Sequence, residues 1–220
     1  MYITYEGIKK NETINTYIRQ ADENLKALGF TEHSFAHVCK VAETAGAILA
    51  ELGFDEKTIE LGKIAGYMHD IGNVVNRIDH AQSGAVMSFR ILDKMGVSDD
   101  DIAVIVAAIG NHDESTAFPV NPVAAALIIA DKSDVRETRV RSTADIKSDI
   151  HDRVNYAVKN QSLMIDKDKK QIVLSLEIDT DISRVMEYFE IFLGRMSLCK
   201  KAADKLGCEF KLVINHQEMA

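Results

Sequence analysis

The stretch AGYMHDIGN, residues 65–73, sets His69 beside Asp70 at the end of an apolar helical run, just before Gly72. Two such residues are either the centre of a metal site or a polar pair where a buried helix runs out. Neighbours on a helix point about 100° apart, so only a ligand lying between those directions meets both side chains. What separates the two readings is whether other ligands occur where they can converge on the pair.

Outward from this pair the apolar period is helical nearly throughout residues 12–160, with Gly or Pro where helices should turn. In INTYIRQADENLKALGF, Ile14, Tyr17, Ile18, Ala21, Leu25 and Leu28 form one stripe, closed by Gly29. Thr31 is the expected cap of a helix running through Phe35, Val38, Val41, Ala45 and Ile48 to Gly53. Asp55 caps the next, which carries the His-Asp pair up to Gly72. HAQSGAVMSFRILDKMG is a further helix, and Ser98 with three aspartates opens DDIAVIVAAIGNH, where acids suit the helix N-terminus. Asn121 and Pro122 are cap and first residue of PVAAALIIADKSDVRE, and DIKSDIHDRVNYAVKN is expected to be the last helix of this region. After Asn160 the pattern changes. SLMID and QIVLSLEID flank the polar turn KDKK as in a hairpin, a helix follows from about Ile182 to Leu206, and EFKLVINHQ closes as a strand. The expected fold class is mainly α, a helical bundle over residues 1–160 with a small C-terminal β-β-α-β unit over residues 161–220.

The composition of the 220 residues, 46% hydrophobic and 27% charged, is that of a globular chain with a real core. There is no run of some 18 apolar residues, and MYITYEGIKKNET lacks the basic and apolar blocks of a signal peptide, so a cytoplasmic protein is expected. Cys39, Cys199 and Cys208 are odd in number and unclustered, the pattern of free structural thiols. A net charge of −8 speaks against binding nucleic-acid polymers or anionic membranes, which needs a broad positive field. It leaves room for a small anionic ligand held by a few local cations.

Five of the seven histidines, His33, His37, His69, His80 and His112, fall in the helical region between residues 33 and 112. The core-facing neighbours of His37 aim it inward. His80 opens one helix and His112 closes the next. Asp131 ends seven nearly unbroken apolar residues, where burial is costly unless a cation or hydrogen bonds compensate. His33, in the first turn of its helix, reads as a spare surface histidine, and His151 and His216 lie outside the constellation.

In order and helix position these residues resemble the HD-domain metal-dependent phosphohydrolases, whose signature is H…HD…D over a helical bundle; the resemblance covers roughly residues 30–135. It implies that His37 is the first histidine, His69 and Asp70 the central pair and Asp131 the last aspartate. His80, in HAQSGAVM, and His112 match the additional histidines of binuclear members. The chain departs from the HD-GYP branch, since Asn111 stands where that branch has a histidine and no Gly-Tyr-Pro follows in NHDESTAFPVNP. Asn73 stands where many members have Lys after HDIG. The implied ligand sets are His37, His69, Asp70 and Asp131 for one ion and Asp70, His80 and His112 for a second, with Asp70 bridging and catalytic. Imidazoles mixed with carboxylates suit a divalent transition metal, iron or manganese foremost, zinc or nickel next, magnesium less.

For a substrate, Lys132, Arg136 and Arg139 follow Asp131, and arginine forks suit phosphate. Helix-dipole attraction and pairing with Asp134 or Glu137 is the competing role for them. Asp113 and Glu114 read as loop acids. The expected function is hydrolysis of a phosphate ester or anhydride in a nucleotide-like metabolite by metal-activated water. A di-iron oxygenase and a non-catalytic sensor or scaffold are the alternatives. The C-terminal unit contributes no ligand and offers strand edges, so docking or homo-oligomer formation is its expected part.

Overall fold

The computed structural model describes residues 3–141 and 150–219. Helices α1 (Tyr5–Lys9), α2 (Glu12–Ala27), α3 (Phe35–Glu51), α4 (Glu56–Met68), α5 (His80–Lys94), α6 (Asp99–Gly110), α7 (Pro122–Lys132) and α8 (Ile150–Ala157) are followed by strands β1 (Val158–Asp166) and β2 (Gln171–Ile178). Helix α9 (Val185–Lys205) and strands β3 (Glu209–Ile214) and β4 (Gln217–Glu218) complete the chain. Side-chain caps fix most helix starts: Asn11, Ser34, Asp55, Ser98 and Asn121 each accept from a backbone N–H of the first turn. The cap of α3 is thus Ser34 rather than Thr31. Residues 31–33 belong to no helix or strand.

Helix α7 is apolar on every side because it is buried on every side. Val123–Ala130 are all buried, and α3, α4, α6 and α9 pack around them. One continuous hydrophobic cluster runs from α1 to β3, taking in Ile8, Ile48, Ile129, Phe192 and Leu212. The sheet order is β1-β2-β3-β4, with β1/β2 an antiparallel hairpin and β2/β3 a parallel pair joined across α9. The expected closing strand breaks at Asn215 and His216, whose φ angles of 48° and 66° make a tight turn into β4. The chain as a whole is therefore mainly α with one small four-stranded sheet, not purely helical. Among the described residues no helix is long and apolar enough to cross a membrane.

Three helix ends differ from the sequence pattern, two of them at the site. Helix α4 stops at Met68. His69 is still in the helical region, but Asp70 has φ −96° and ψ 0°, and a 3-10 turn (Ile71–Val74) follows. The expected helix over residues 122–137 ends at Lys132, since Asp134 turns inward and only a short 3-10 turn (Glu137–Arg139) follows. The helix expected over residues 145–160 begins outside the described residues, and it ends at Ala157 because Val158 already pairs with Ile178.

Candidate metal centre

The approach of α5 to the 3-10 turn sets the geometry. A Cβ on Gly72 would stand 2.0 Å from the His80 carbonyl oxygen and 2.5 Å from the Gly84 nitrogen, so only glycine lets the two segments meet this closely. His80 is thereby brought against the turn that carries Asp70.

Four imidazoles and two carboxylates converge there from α3, the end of α4, α5, the end of α6 and α7. Asp70 Oδ2 lies 3.2 Å from His69 Nε2 and 3.7 Å from His37 Nε2. Its other oxygen, Oδ1, lies 3.5 Å from His80 Nε2 and 4.0 Å from His112 Nε2. Asp131 Oδ1 completes the first side, 3.3 Å from His37 Nε2 and 3.7 Å from His69 Nε2. Each of the sets His37/His69/Asp70, His69/His112/Asp131 and Asp70/His80/His112 offers donor atoms within 4.8 Å of one another, room for an ion in each. All six residues that motif order selects are thus in one cluster.

The far nitrogen of every ring is occupied. His37 Nδ1 binds Asp134 Oδ2 at 2.8 Å, His69 Nδ1 the Gly66 carbonyl at 2.7 Å, His112 Nδ1 the Ile109 carbonyl at 2.6 Å and His80 Nδ1 the Arg77 carbonyl at 3.1 Å. A carbonyl or carboxylate partner requires Nδ1 to be the donor, so in the neutral rings each Nε2 lone pair faces inward, the orientation that metal ligation needs. His37 Nε2 and His69 Nε2 are buried and have no hydrogen-bond partner, a cost that a cation removes. The donor set fits a divalent ion.

The ionisation of four of the six ligands suits this. Burial opposes charge on Asp70 and Asp131, but His69 beside the first and Lys132 beside the second hold both well below the usual carboxylate range. Burial, with His69 and Lys132 nearby, pushes His112 down to about 3, and burial also lowers His80. His69 is raised, because Asp70 and Asp131 outweigh its burial. The carboxylates are thus anionic, and His80 and His112 are neutral.

Asp70, His80, His112 and Asp131 line a cavity of about 480 Å³ whose wall also includes Phe30, Thr31, His33, Arg77, Lys132, Arg139, Phe192 and Arg195. Lys132 is buried and binds Asp131 Oδ2 at 2.7 Å and Glu114 Oε2 at 3.0 Å; Arg195 closes the chain on Glu114. Arg139 also faces the cavity, donating to the Glu32 and Asp134 carbonyls. Arg136 does not line it. Its guanidinium is tied to both oxygens of Asp134, at 2.6 and 3.0 Å, so it braces the carboxylate that orients His37.

Several site residues were not found from sequence. His33, read as a surface histidine, lines the cavity and packs edge-on against His37 at 5.4 Å between ring centroids. Asp134 orients His37, and Asn73 donates to Asp70 Oδ1 at 2.9 Å. Glu114 is the middle of an ion-pair chain rather than a free loop acid. Phe192 and Arg195 bring α9 into the site wall, which a docking-only part for the C-terminal unit leaves out. His151 lines the cavity as well. The only sequence signal for any of these was their polarity or position beside a ligand.

Residues 34–139 match the family model of the HD domain. Among curated proteins, Ribonuclease Y of Oleidesulfovibrio alaskensis is 28% identical over 188 residues, 80% of this chain and 32% of that protein. Ribonuclease Y of Fervidobacterium nodosum is 32% identical over 104 residues, 46% of this chain and 18% of that one. This chain spans a third or less of the length of these relatives. Among solved structures, a predicted HD superfamily hydrolase from an uncultured Thermotogales bacterium is similar at 21% identity and a TM-score of 0.46, covering 89% of this chain and 84% of that one.

Proposed function

We infer that this chain, an HD-domain protein through its residues 34–139, is a metal-dependent phosphohydrolase that cleaves a phosphate ester or anhydride of a nucleotide-sized metabolite. The observation that carries the reading is the division of Asp70, with one oxygen toward His37 and His69 and the other toward His80 and His112. His37, His69, Asp70 and Asp131 would hold one divalent ion, and Asp70, His80 and His112 a second, with iron or manganese best suited to this nitrogen-rich set. When bound, such ions polarise phosphoryl oxygens and lower the pKa of water toward neutrality.

The chain's own residues then have distinct parts. Asp134, Gly66, Ile109 and Arg77 hold the four Nδ1 atoms and so keep the Nε2 lone pairs inward. Lys132 keeps Asp131 ionised and in place. Arg139 presents positive charge in the cavity wall for the remote part of a phosphorylated substrate. Phe30 and Phe192 give the wall two aromatic faces.

A second reading, phosphodiester cleavage at the end of a short RNA, is favoured by the relatives named Ribonuclease Y, one of which aligns with 80% of this chain. The net charge of −8 argues against grip on a long polymer, and the cavity volume suits one or two nucleotides. The test is a panel of nucleotides, dinucleoside polyphosphates, sugar phosphates and short oligoribonucleotides with manganese- or iron-loaded protein. Release of phosphate or a nucleotide, abolished in Asp70→Ala, is expected. A folded, metal-loaded protein that is inactive on the whole panel but consumes oxygen with an organic substrate would support the di-iron alternative instead.

A further inference from the structure

We propose that Arg77 is the residue that grips the phosphoryl group at the site, through its free guanidinium edge; this rests on the phosphohydrolase reading above. Arg77 lies in the irregular turn between the 3-10 segment and α5, is half-buried, and lines the cavity. Its Nη1 is 3.4 Å from His80 Nε2 and 3.4 Å from Asn73 Oδ1, so the group stands at the rim of the Asp70/His80/His112 set. The guanidinium carbon lies 5.6 Å from the centroid of the Phe30 ring, which holds it by cation–π contact.

Its lack of an anion distinguishes it from most other cations of the cavity. Lys132 binds Asp131 and Glu114, and Arg195 binds Glu114. Arg139 already donates Nε and Nη1 to two backbone carbonyls and keeps only its charge for the remote part of the cavity. Among the described residues Arg77 pairs with no carboxylate, and its Nε and Nη2 have no acceptor. A guanidinium held on an aromatic face, with two donors unused and a cluster of ligand atoms beside it, is arranged for a planar or tetrahedral oxyanion. The contact to His80 is long and competes with ligation at the same nitrogen. A cation against His80 would repel Nη1 and free that donor too.

The backbone of Arg77 does separate work, since its carbonyl accepts from His80 Nδ1. Side-chain substitution leaves that carbonyl in place, which makes the two parts separable. The test uses the manganese-loaded 220-residue chain, with calorimetric titration of inorganic phosphate, elemental analysis, and kinetics on any panel substrate. Arg77→Ala is expected to keep wild-type metal content and weaken phosphate binding about 10- to 100-fold, the loss of one or two charged hydrogen bonds. Arg77→Lys, which keeps the charge but not the fork, should recover only part of it. Wild-type phosphate affinity in Arg77→Ala, no phosphate binding by the wild type, or loss of metal in Arg77→Ala would each overturn the proposal. If phosphate binding depends on Arg77 while no panel ester is cleaved, the phosphohydrolase reading fails and the Arg77 site stands. If esters are cleaved equally by wild type and Arg77→Ala, the reverse holds.

Discussion

Replacing Gly72 with Ala would set a methyl carbon 2.0 Å from the His80 carbonyl oxygen, 2.5 Å from the Gly84 nitrogen and 2.7 Å from Ser83 Oγ. Side-chain carbons keep 3.0 Å or more from such atoms, so the 3-10 turn and α5 must part by about 1 Å, and two of the three obstacles are backbone. Gly72 has no positive φ, so the substitution carries no conformational penalty, and the smaller entropy of the unfolded chain favours Ala by roughly 0.4–1 kcal/mol. Overpacking of about 3 kcal/mol outweighs that gain. A net loss of 2–3 kcal/mol corresponds to roughly 4–12 °C in melting temperature at about 2–4 °C per kcal/mol for a chain of this size. Because α5 starts at His80, the shift also separates His80 from Asp70, and metal ligation tolerates only about 0.2 Å. Gly194, in the exposed face of α9 with nothing within 4 Å of an added Cβ, is the control: Gly194→Ala should be neutral or stabilise by about 0.5–1 kcal/mol. The assay is thermal denaturation of both variants with elemental analysis of the same samples. A Gly72→Ala protein with wild-type melting temperature and metal content would refute the reasoning.

Metal removal should lower stability, because the ligands tie α3, α4 and α7 across the sequence; saturation at 100 times the dissociation constant is worth about 2.7 kcal/mol. A chelator that strips the metal and leaves the melting temperature unchanged would contradict this. Glu114→Gln should destabilise by about 1–2 kcal/mol, less than a fully buried pair because Glu114 is partly exposed. Lys132 and Arg195 outweigh burial and depress the Glu114 pKa from 4.5 to about 2, so its contribution is full above about pH 4.5 and fades as pH falls toward 2. Urea unfolding of both proteins across that range measures it, and a gap that widens on acidification would go against the assignment. Burial pushes the Cys199 thiol up to about 12 and also raises Cys208, so native-state alkylation should mark the half-buried Cys39 first, read by mass spectrometry.

The residues legible in the sequence were those whose chemistry conflicts with their surroundings. His37 and Asp131 sit in apolar helical runs where an unsatisfied polar group is costly, so their pattern announces a partner. The cluster brings them together with His69, Asp70, His80 and His112. Helices with strong side-chain caps were legible as well, as with Asp55, Ser98 and Asn121. The missed residues act through contacts distant in sequence. Asp134 meets His37 across 97 residues, and Arg195 comes from a helix that the pattern assigns to a separate unit. Arg136 lies within the helix that the pattern continues past Asp131, but the helix ends at Lys132 because Asp134 turns to the ring of His37. Arg77 sits in the exposed turn VVNRID, where nothing local marks it as part of the site.

Metal content tests the central claim most directly. The 220-residue chain purified without chelator and reconstituted with manganese or iron should carry divalent metal by elemental analysis. His80→Ala should lose mainly the ion of the Asp70/His80/His112 set, and Asp70→Ala should lose all of it, since both of its oxygens face ligand imidazoles. A folded Asp70→Ala protein that retains full wild-type metal content would contradict the account.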